Sequence, residues 1–402
     1  MSVMSYTFSV GDVAFLRSRH GIKALETASS LALTAPSMIA DIAELRARYD
    51  GHDAALIETV TCRRRARGKL RGADDLLLSD EALQQATNSV VAQQRAADIA
   101  DRVPGAVIHD VTCSVGAELA ELTHSSGVAG VIGSDIDPVR LAMARHNVPS
   151  ATLLRADALT PTSTADVILA DPARRSGAGR VFRLDQLTPP LLNLMTTYAG
   201  RSLIVKCAPG LDYSMLRNRF GFDGEVQITS LDGGVREAVL WTGPHAIPFR
   251  RATVLRTGPD GTVERTELTD AEPDDVPIGE LGEWIIDPDG AIVRAGLVRN
   301  YAHRHGLGLL DPRIAYLTGD SVPLGERGFR IIEQVGVAEK ALRKALGAQD
   351  CGTLEILVRG LDVDPDQLRK RLKLKGSRPL TLILTRLGRK GVGFLCEPGI
   401  RF

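Results

Sequence analysis

The chain has 402 residues and a formal net charge of zero, with 44% hydrophobic and 24% charged residues. This composition is typical of a folded globular protein and excludes a disordered or fibrous chain, and the length favours two or more domains, each with a core of its own. No apolar run reaches the roughly 18 residues of a membrane span, and Asp12 and Arg17 interrupt the apolar core that a secretory signal would need. We therefore predict a cytoplasmic protein without a membrane segment.

The five cysteines are odd in number, widely spaced and without a CxxC pair. They are Cys62, Cys113, Cys207, Cys351 and Cys396. This spacing indicates neither a disulfide framework nor a zinc ribbon, so no metal site is predicted and a reducing compartment fits.

Residues 1–100 are rich in Ala, Leu and Arg and predict an N-terminal helical region. Within it, the segment 62–71 contains six basic residues in ten. It is consistent either with a solvated turn between two helices or with a patch that contacts phosphate. A further helix is predicted to begin at Ser79 or Asp80 and to run through Leu83, Ala86, Val90 and Ala97.

Residues 101–243 begin with a strand, a turn, a helix and a second strand. The strand at 107–111 leads into a turn that ends at Gly116, an apolar stripe at Leu119 and Leu122 has helical spacing, and a second strand ends near Asp135. In such βαβ units the ligand lies outside the carboxyl ends of the strands, where an acidic residue ending the second strand can bind a ribose diol. The pattern therefore predicts a nucleotide-binding crevice.

Five more strands are predicted up to residue 243. Their positions are 151–158, 166–172, 202–207, 225–230 and 236–241. The link between the last two is too short for a crossover helix, so we expect them to form an antiparallel pair at the edge of a sheet that is otherwise parallel.

The rest of the chain divides by composition and charge. Residues 244–326 begin with Pro, Gly and acidic clusters and predict a partly irregular connecting module; positions 244–290 hold 4 basic and 11 acidic side chains, a net of −7. Residues 327–402 alternate strands and helices and predict a small α/β domain. Positions 330–402 hold 15 basic and 8 acidic side chains, a net of +7, which suggests a polyanionic partner.

This order of elements resembles the class I S-adenosylmethionine-dependent methyltransferases, in particular a bacterial group with a C-terminal THUMP-like domain. The resemblance implies an α/β fold, with a Rossmann-like seven-stranded sheet at 101–243 that follows the helical region and precedes a small THUMP-like domain. It also implies S-adenosylmethionine as cofactor. Asp110 and Gly116 match the ends of the family's D-x-G-x-G-x-G turn, Asp135 its ribose acid, Ile136 its adenine-packing residue and Asp157 its third acid.

Thr112, Cys113 and Ala158 complete the predicted cofactor contacts. The family's two middle glycines are replaced by Thr112 and Ser114. Because a β-branched residue tolerates positive φ poorly, either the turn has another shape or the cofactor site is weakened. The three aspartates could also be simple caps or turn formers, although the carboxyl ends of neighbouring strands would bring them to one crevice.

The segment Asp171-Pro172-Ala173-Arg174-Arg175 matches the family's fourth-strand motif, which faces the substrate. Asp171 and Pro172 are the predicted catalytic residues, since a carboxylate beside a backbone carbonyl can orient a target amine. Arg174 and Arg175 are predicted to contact a nucleotide, because guanidinium groups stack on bases and pair with phosphate.

Four further side chains allow more than one interpretation. Lys206 is predicted to reach the crevice and to pair with Asp171 or Asp110, and a base with a lowered pKa is the alternative. Cys113 and Cys207 would permit thiol-dependent methylation, but a buried cysteine is more often a small core residue. Glu237 could contact substrate, but an acid on an edge strand is more often plain surface.

The predicted function is methylation of a base in structured RNA, either tRNA or rRNA. Its support is the resemblance and the basic C-terminal residues, which are Arg369, Lys370, Arg371, Lys373, Lys375, Arg378, Arg386, Arg389 and Lys390. Two alternatives remain open. The chain could methylate a small molecule or a protein, or it could be a non-catalytic RNA-binding module with a degenerate cofactor site.

Overall fold

The computed structural model describes residues 6–174, 187–210, 213–243, 246 and 249–402. The chain forms two compact units. The first comprises Met1–Glu225 and Glu237–Ile247, and the second comprises Val226–Arg236 and Pro248–Phe402.

The first unit opens with the predicted helical region. Its helices are α1 (Val10–Arg17), α2 (Arg19–Ser30), α3 (Met38–Tyr49), α4 (Asp53–Ala66), α5 (Asp80–Gln85) and α6 (Ser89–Arg102). Ser9 and Asp12 form a capping box that begins α1. Helices α1 to α5 enclose an apolar core that also contains Val115 and Met143, so the helical region packs directly on the elements that follow it.

The arginine-rich segment 62–71 forms the end of α4 and the turn after it, and some of its side chains are used within the fold. Arg64 donates to three backbone carbonyls around the C-terminal end of α2. Arg63 donates to two carbonyls shortly before α5, and Arg65 pairs with Asp80. These contacts hold α4 to its neighbours. Arg63 and Arg64 are therefore used within the fold, whereas Arg65, Arg67 and Arg71 are exposed, and both the solvated turn and the phosphate-contacting patch stay predictions.

The predicted continuous helix from residue 79 to residue 97 is wrong, because the chain breaks between α5 and α6. Ser79 caps α5, and the Asn88 side chain accepts a hydrogen bond from Val90 N–H and begins a new helix. Asn is a strong helix N-cap, and here that local preference overrides the apolar periodicity that ran across the break.

The described strands up to residue 242 are β1 (Ala106–Asp110), β2 (Val128–Asp135), β3 (Thr152–Arg155), β4 (Val167–Ala170), β5 (Ala173–Arg174), β6 (Leu187–Thr188), β7 (Ser202–Cys207), β8 (Glu225–Leu231) and β9 (Gly234–Thr242). Seven of them lie at the predicted positions, and two short strands, β5 and β6, were not predicted. In the described part of the first unit the sheet order is β9-β7-β4-β1-β2-β3. Strands β7, β4, β1, β2 and β3 are parallel, and β9 is antiparallel to β7.

Helices alternate with these strands. They are α7 (Ala117–His124), α8 (Pro138–Asn147), α9 (Leu191–Thr197) and α10 (Tyr213–Phe220). Helices α7 and α8 pack against the sheet. Ile108, Leu169 and Ile204 on the central strands are completely or almost completely buried in one cluster with Leu119 and Leu122 of α7. Near-continuous apolar strands are expected for a parallel sheet covered on both faces, and the predicted Rossmann-like arrangement is confirmed.

The second unit begins with β8, which the sequence analysis placed at a sheet edge. That placement is wrong, because β8 pairs in parallel with β10 (Arg250–Thr257), and β10 pairs with the antiparallel β11 (Val263–Thr269). The short link between β8 and β9 predicts that these two strands are neighbours. It does not show whether a third strand pairs with the other edge of β8. The burial of five consecutive residues of β10 shows that this strand is internal.

The larger sheet of the second unit has the order β13-β14-β12-β15-β18-β17-β16, and β19 pairs with β15. These strands are β12 (Trp284–Asp287), β13 (Gly308–Asp311), β14 (Ile314–Gly319), β15 (Arg327–Gly336), β16 (Cys351–Val358), β17 (Arg378–Leu387), β18 (Lys390–Cys396) and β19 (Ile400–Arg401). Its helices are α11 (Gly290–Arg294), α12 (Val298–Arg304), α13 (Glu339–Ala348) and α14 (Pro365–Leu372).

The range 244–326 therefore differs from the partly irregular connecting module that the sequence predicted. It contributes five strands and two helices among its described residues, and β12 pairs with β15 inside the larger sheet. Acidic clusters and prolines indicate the loops of this range. They also make the short strands between the loops difficult to predict from the sequence. No helix in the described ranges is long and apolar enough to cross a membrane.

Candidate cofactor site

A cavity of about 400 Å³ lies at the carboxyl ends of the parallel strands in the first unit. Most of the predicted site residues line it. They are Asp110, Thr112, Cys113, Asp135, Ile136, Asp157, Ala158, Asp171 and Lys206. Gly116 and Pro172 do not line this cavity. Arg175 lies outside the described residues, as does the side chain of Arg174, although its backbone belongs to β5.

The register of the sheet explains why residues far apart in the chain meet here. Asp110 ends β1 and pairs with Gly133 on β2 and with Leu169 on β4. Asp135 lies two residues beyond Gly133, and Asp171 lies two residues beyond Leu169. Both aspartates are therefore at the carboxyl ends of their strands. Since parallel strands present their carboxyl ends on one side, the three carboxylates converge.

The turn after β1 has positive φ at only one of the two positions where a glycine of the family is replaced. Positive φ falls on Ser114, at 49°, and on Gly116, at 83°, and not on Thr112. The Thr112 hydroxyl accepts a hydrogen bond from the backbone N–H of Asp171 at 2.6 Å. Thr112 thus joins the turn to the end of β4. Thr112 therefore avoids the positive φ that a β-branched residue tolerates poorly.

Asp135 is almost completely buried and already supports the turn. One carboxylate oxygen accepts the N–H of Ser114 at 3.0 Å, and the other accepts the N–H of Asp137 at 2.9 Å. Each carboxylate oxygen has a second lone pair. Asp135 can therefore hold a pair of ligand hydroxyls while its backbone partners fix its orientation.

Ile136 and Asp157 form the outer part of the cavity. Ile136 has 65% of its surface exposed, although it is a large apolar residue directly after a buried strand. Asp157 is exposed and accepts a hydrogen bond from Leu159 N–H at 2.8 Å, and the adjacent Ala158 is buried. An exposed apolar side chain beside a carboxylate suits a flat base with polar edges.

A network of largely buried charges borders the cavity. Lys206 forms an ion pair with Asp171, as predicted, and lies 3.7 Å from Glu118. Arg95 contacts Glu118 at 3.3 Å and Glu237 at 2.6 Å. Burial lowers the pKa of Lys206, but the attraction of Asp171 and Glu118 outweighs it, so the net shift is upward. Lys206 therefore stays protonated, which argues against the alternative of a lysine base.

Burial also changes the pKa values of other groups at the cavity. It raises the pKa of Asp110 to about 7, and the nearby Glu118 adds to this shift while the N–H of Thr112 and the charge of Lys206 oppose it. It raises the pKa of the Cys113 thiol and of the Cys207 thiol. Both cysteines therefore remain protonated near neutral pH, and neither is suited to act as a nucleophile.

Several residues of this site were not found, or were misjudged, from the sequence. Glu237 is buried beside Arg95, so the surface interpretation is wrong. Glu118 in the first turn of α7 was missed, although an acid on the apolar side of a helix was a usable signal. Gln85 and Thr87 line the cavity because of the break between α5 and α6, which the sequence analysis did not predict.

Gly116 shapes the turn from outside the cavity, and its replacement tests that role. A Cβ at this position would lie 3.1 Å from Val148 Cγ2 in a backbone of positive φ. We expect Gly116→Ala to lower the free energy of unfolding by about 2 kcal/mol in urea titrations. Gly105→Ala is the control, because Gly105 also has positive φ but has no atom within 4 Å of a Cβ. Equal losses for both variants would show that the close approach to Val148 does not matter.

Comparison with known proteins identifies the family. Residues 326–398 match the family described as THUMP domain-like. An uncharacterized S-adenosylmethionine-dependent methyltransferase of Mycobacterium tuberculosis, from strains CDC 1551 and H37Rv, is 48% identical over an alignment of 370 residues, with 88% of this chain and 99% of the relative covered. The chain belongs to the S-adenosylmethionine-dependent methyltransferases.

The fold of this methyltransferase has a counterpart among crystal structures. A Porphyromonas gingivalis W83 protein proposed to be a methyltransferase superposes with a TM-score of 0.72, with 98% of this chain and 99% of that chain covered. The identity is 20%, so this likeness shows the fold alone. The predicted class I fold, the THUMP-like C-terminal domain and S-adenosylmethionine as cofactor are confirmed.

The residues present in the methyltransferase suit this cofactor. The cavity volume falls within the range of small-molecule sites, which is roughly 300–1,000 Å³. Asp135 has lone pairs for ribose hydroxyls, and the exposed Ile136 offers an apolar surface for adenine. Bound S-adenosylmethionine supplies an electrophilic methyl group on a sulfonium centre. Asp171 and Lys206 line the same cavity.

Proposed function

We propose that this methyltransferase modifies a base in structured RNA, either a tRNA or an rRNA. The observation that carries the proposal is the combination of a methyltransferase cavity with a THUMP-like domain whose basic side chains are exposed. In that domain Lys370, Lys373 and Lys375 are all exposed, on α14 and the segment after it. Clustered lysines of this kind are suited to phosphate contacts that recognise RNA by its shape.

In this proposal Asp171 orients the acceptor. Its carboxylate lines the cavity, and its backbone N–H is fixed by the Thr112 hydroxyl. A carboxylate held in this way can accept a hydrogen bond from an amino group and keep its lone pair in line for transfer. Pro172 is buried directly behind Asp171 and restricts the backbone there. Arg174 and Arg175 remain predicted nucleotide contacts.

The acceptor can be identified by nucleoside analysis. The purified protein and labelled S-adenosylmethionine are incubated with total RNA from a strain that lacks the gene, and the labelled RNA is digested to nucleosides. The proposal expects label in a single base of one RNA. Label that enters proteins or small molecules of the same extract, and not RNA, would support the rival acceptor class instead.

The lysines of the THUMP-like domain give a prediction with a matched control. We expect the triple change Lys370→Ala, Lys373→Ala and Lys375→Ala to weaken RNA binding and to reduce the slope of log affinity against log salt by about 3. The control removes three exposed basic residues of the helical region, Arg17, Arg19 and Lys23. Binding is measured by fluorescence anisotropy over a series of salt concentrations. An unchanged slope in the first variant would place the RNA elsewhere.

A further inference from the structure

Glu118 has a carboxylate oxygen without a hydrogen-bond donor. The residue lies in the first turn of α7, its surface is only 7% exposed, and it lines the cofactor cavity. Its Oε1 atom accepts a hydrogen bond from Arg95 Nε at 3.3 Å. Its Oε2 atom is buried, and no donor among the described residues is within hydrogen-bond distance of it. The nearest cation to Oε2 is Lys206 Nζ at 3.7 Å, an ion-pair partner that lies beyond hydrogen-bond distance. A buried charged acceptor without a hydrogen bond is unfavourable, so this position favours a donor from a ligand.

The charges around Glu118 indicate the kind of ligand. Three other buried or partly buried carboxyl groups belong to the same network, on Asp110, Asp171 and Glu237, whereas its cations are Arg95 and Lys206. With every group ionised, the described network would carry two more negative than positive charges. Excess negative charge out of contact with water favours a cation in the adjacent space.

The cofactor has such a cation at its amino-acid end. We propose that Glu118, together with Asp110, binds the α-ammonium group of S-adenosylmethionine. An ammonium group carries three donors, which suits two carboxylates that border one cavity. This inference concerns the cofactor and does not depend on which acceptor is methylated.

The protonation of Asp110 supports the pairing. Four titratable or charged groups surround Asp110. They are Cys113 in the same turn, Glu118 on α7, Asp171 at the end of β4 and Lys206 on β7. Its pKa is raised to about 7, chiefly by burial. A cation bound beside it would favour the ionised carboxylate, so binding at a pH below about 7 would require the loss of a proton.

The decisive variant is Glu118→Gln, which keeps the shape and removes the charge. Binding is measured by calorimetry with two ligands: S-adenosylhomocysteine, which has the ammonium group, and 5′-methylthioadenosine, which lacks the whole amino-acid end. We expect the affinity for S-adenosylhomocysteine to fall about 10- to 100-fold, as for loss of a charged hydrogen bond. The affinity for 5′-methylthioadenosine should stay within about twofold, since its contacts lie at the other end of the cavity.

The matched control is Glu121→Gln on the same helix. Glu121 is also a buried acid, but it does not line the cofactor cavity. We expect this variant to bind both ligands with wild-type affinity. If Glu118→Gln weakened the two ligands equally, or weakened neither, the proposed ammonium contact would be overturned.

A second measurement uses the unmodified protein and so does not depend on how the variant folds. The affinity for S-adenosylhomocysteine should rise up to about tenfold per pH unit as the pH approaches 7 from below, because Asp110 then needs to release no proton. The affinity for 5′-methylthioadenosine should be flat over the same range. Parallel pH profiles for the two ligands would contradict the proposal. Measurements stop below about pH 7.5, where an α-amino group itself begins to lose its proton.

Discussion

Asp171→Ala is expected to lower the rate of methyl transfer by about 10²- to 10³-fold while the dissociation constant of S-adenosylmethionine changes less than about threefold. The carboxylate of Asp171 lines the cavity beside Lys206, and the Thr112 hydroxyl fixes the backbone of Asp171. Removing the side chain takes away the acceptor that would hold the target amine. The parts of the cavity assigned to the adenosine group remain unchanged.

Two controls separate orientation of the acceptor from general damage to the fold. Asp171→Asn retains an oxygen that accepts hydrogen bonds and should recover part of the lost rate. Asp166→Ala changes an exposed aspartate just before the start of β4, at the opposite edge of the sheet, where its side chain accepts a hydrogen bond from Val107 N–H. This variant should keep the wild-type rate. Single-turnover assays with the identified RNA give the rates, and an unimpaired Asp171→Ala enzyme would remove the role assigned to Asp171.

Asp135→Ala is expected to weaken S-adenosylmethionine binding by at least about 10²-fold, because two effects add. The variant loses the acceptor for the ribose hydroxyls, and hydrogen bonds to a charged group contribute roughly 1.5–3 kcal/mol each. It also frees the N–H of Ser114, which Asp135 holds at 3.0 Å and which fixes the turn after β1. Isothermal titration calorimetry measures the affinity directly.

Asp137→Ala is the matched control for this variant. Asp137 lies two residues further along the chain and caps α8 by accepting hydrogen bonds from Val139 and Arg140 N–H. It does not line the cavity. Loss of the cap should cost about 1 kcal/mol of stability and leave cofactor affinity unchanged. If Asp137→Ala weakened binding as much as Asp135→Ala, the effect would reflect the stability of α8 and not a contact with ribose.

The strand ends of the first unit were predictable from the sequence because two local signals agree there. Apolar runs fix the parallel strands, and each run ends at an aspartate, so Asp110, Asp135 and Asp171 reach one edge whatever the details of packing. The salt bridge between Lys206 and Asp171 followed from the same geometry. These residues meet because of the topology of the sheet and not because of a particular side-chain arrangement.

The remaining features depend on contacts between distant segments. The sequence does not show that Arg95 of α6 meets Glu118 and Glu237, since these residues are separated by 23 and 142 positions. The pairing of β8 with β10 was missed because the acidic loops after residue 257 obscure the strand pattern around them. The shape of the turn could not be predicted either, because it depends on the hydrogen bond between Thr112 and Asp171.

A crystal structure of the protein with S-adenosylhomocysteine tests most directly whether the strand-end carboxylates form the cofactor site. We expect the ribose hydroxyls within hydrogen-bond distance of Asp135, the adenine against Ile136 and the amino-acid end beside Asp110. A ligand bound away from Asp110 and Asp135, or a cavity between them that stays closed to it, would contradict this assignment.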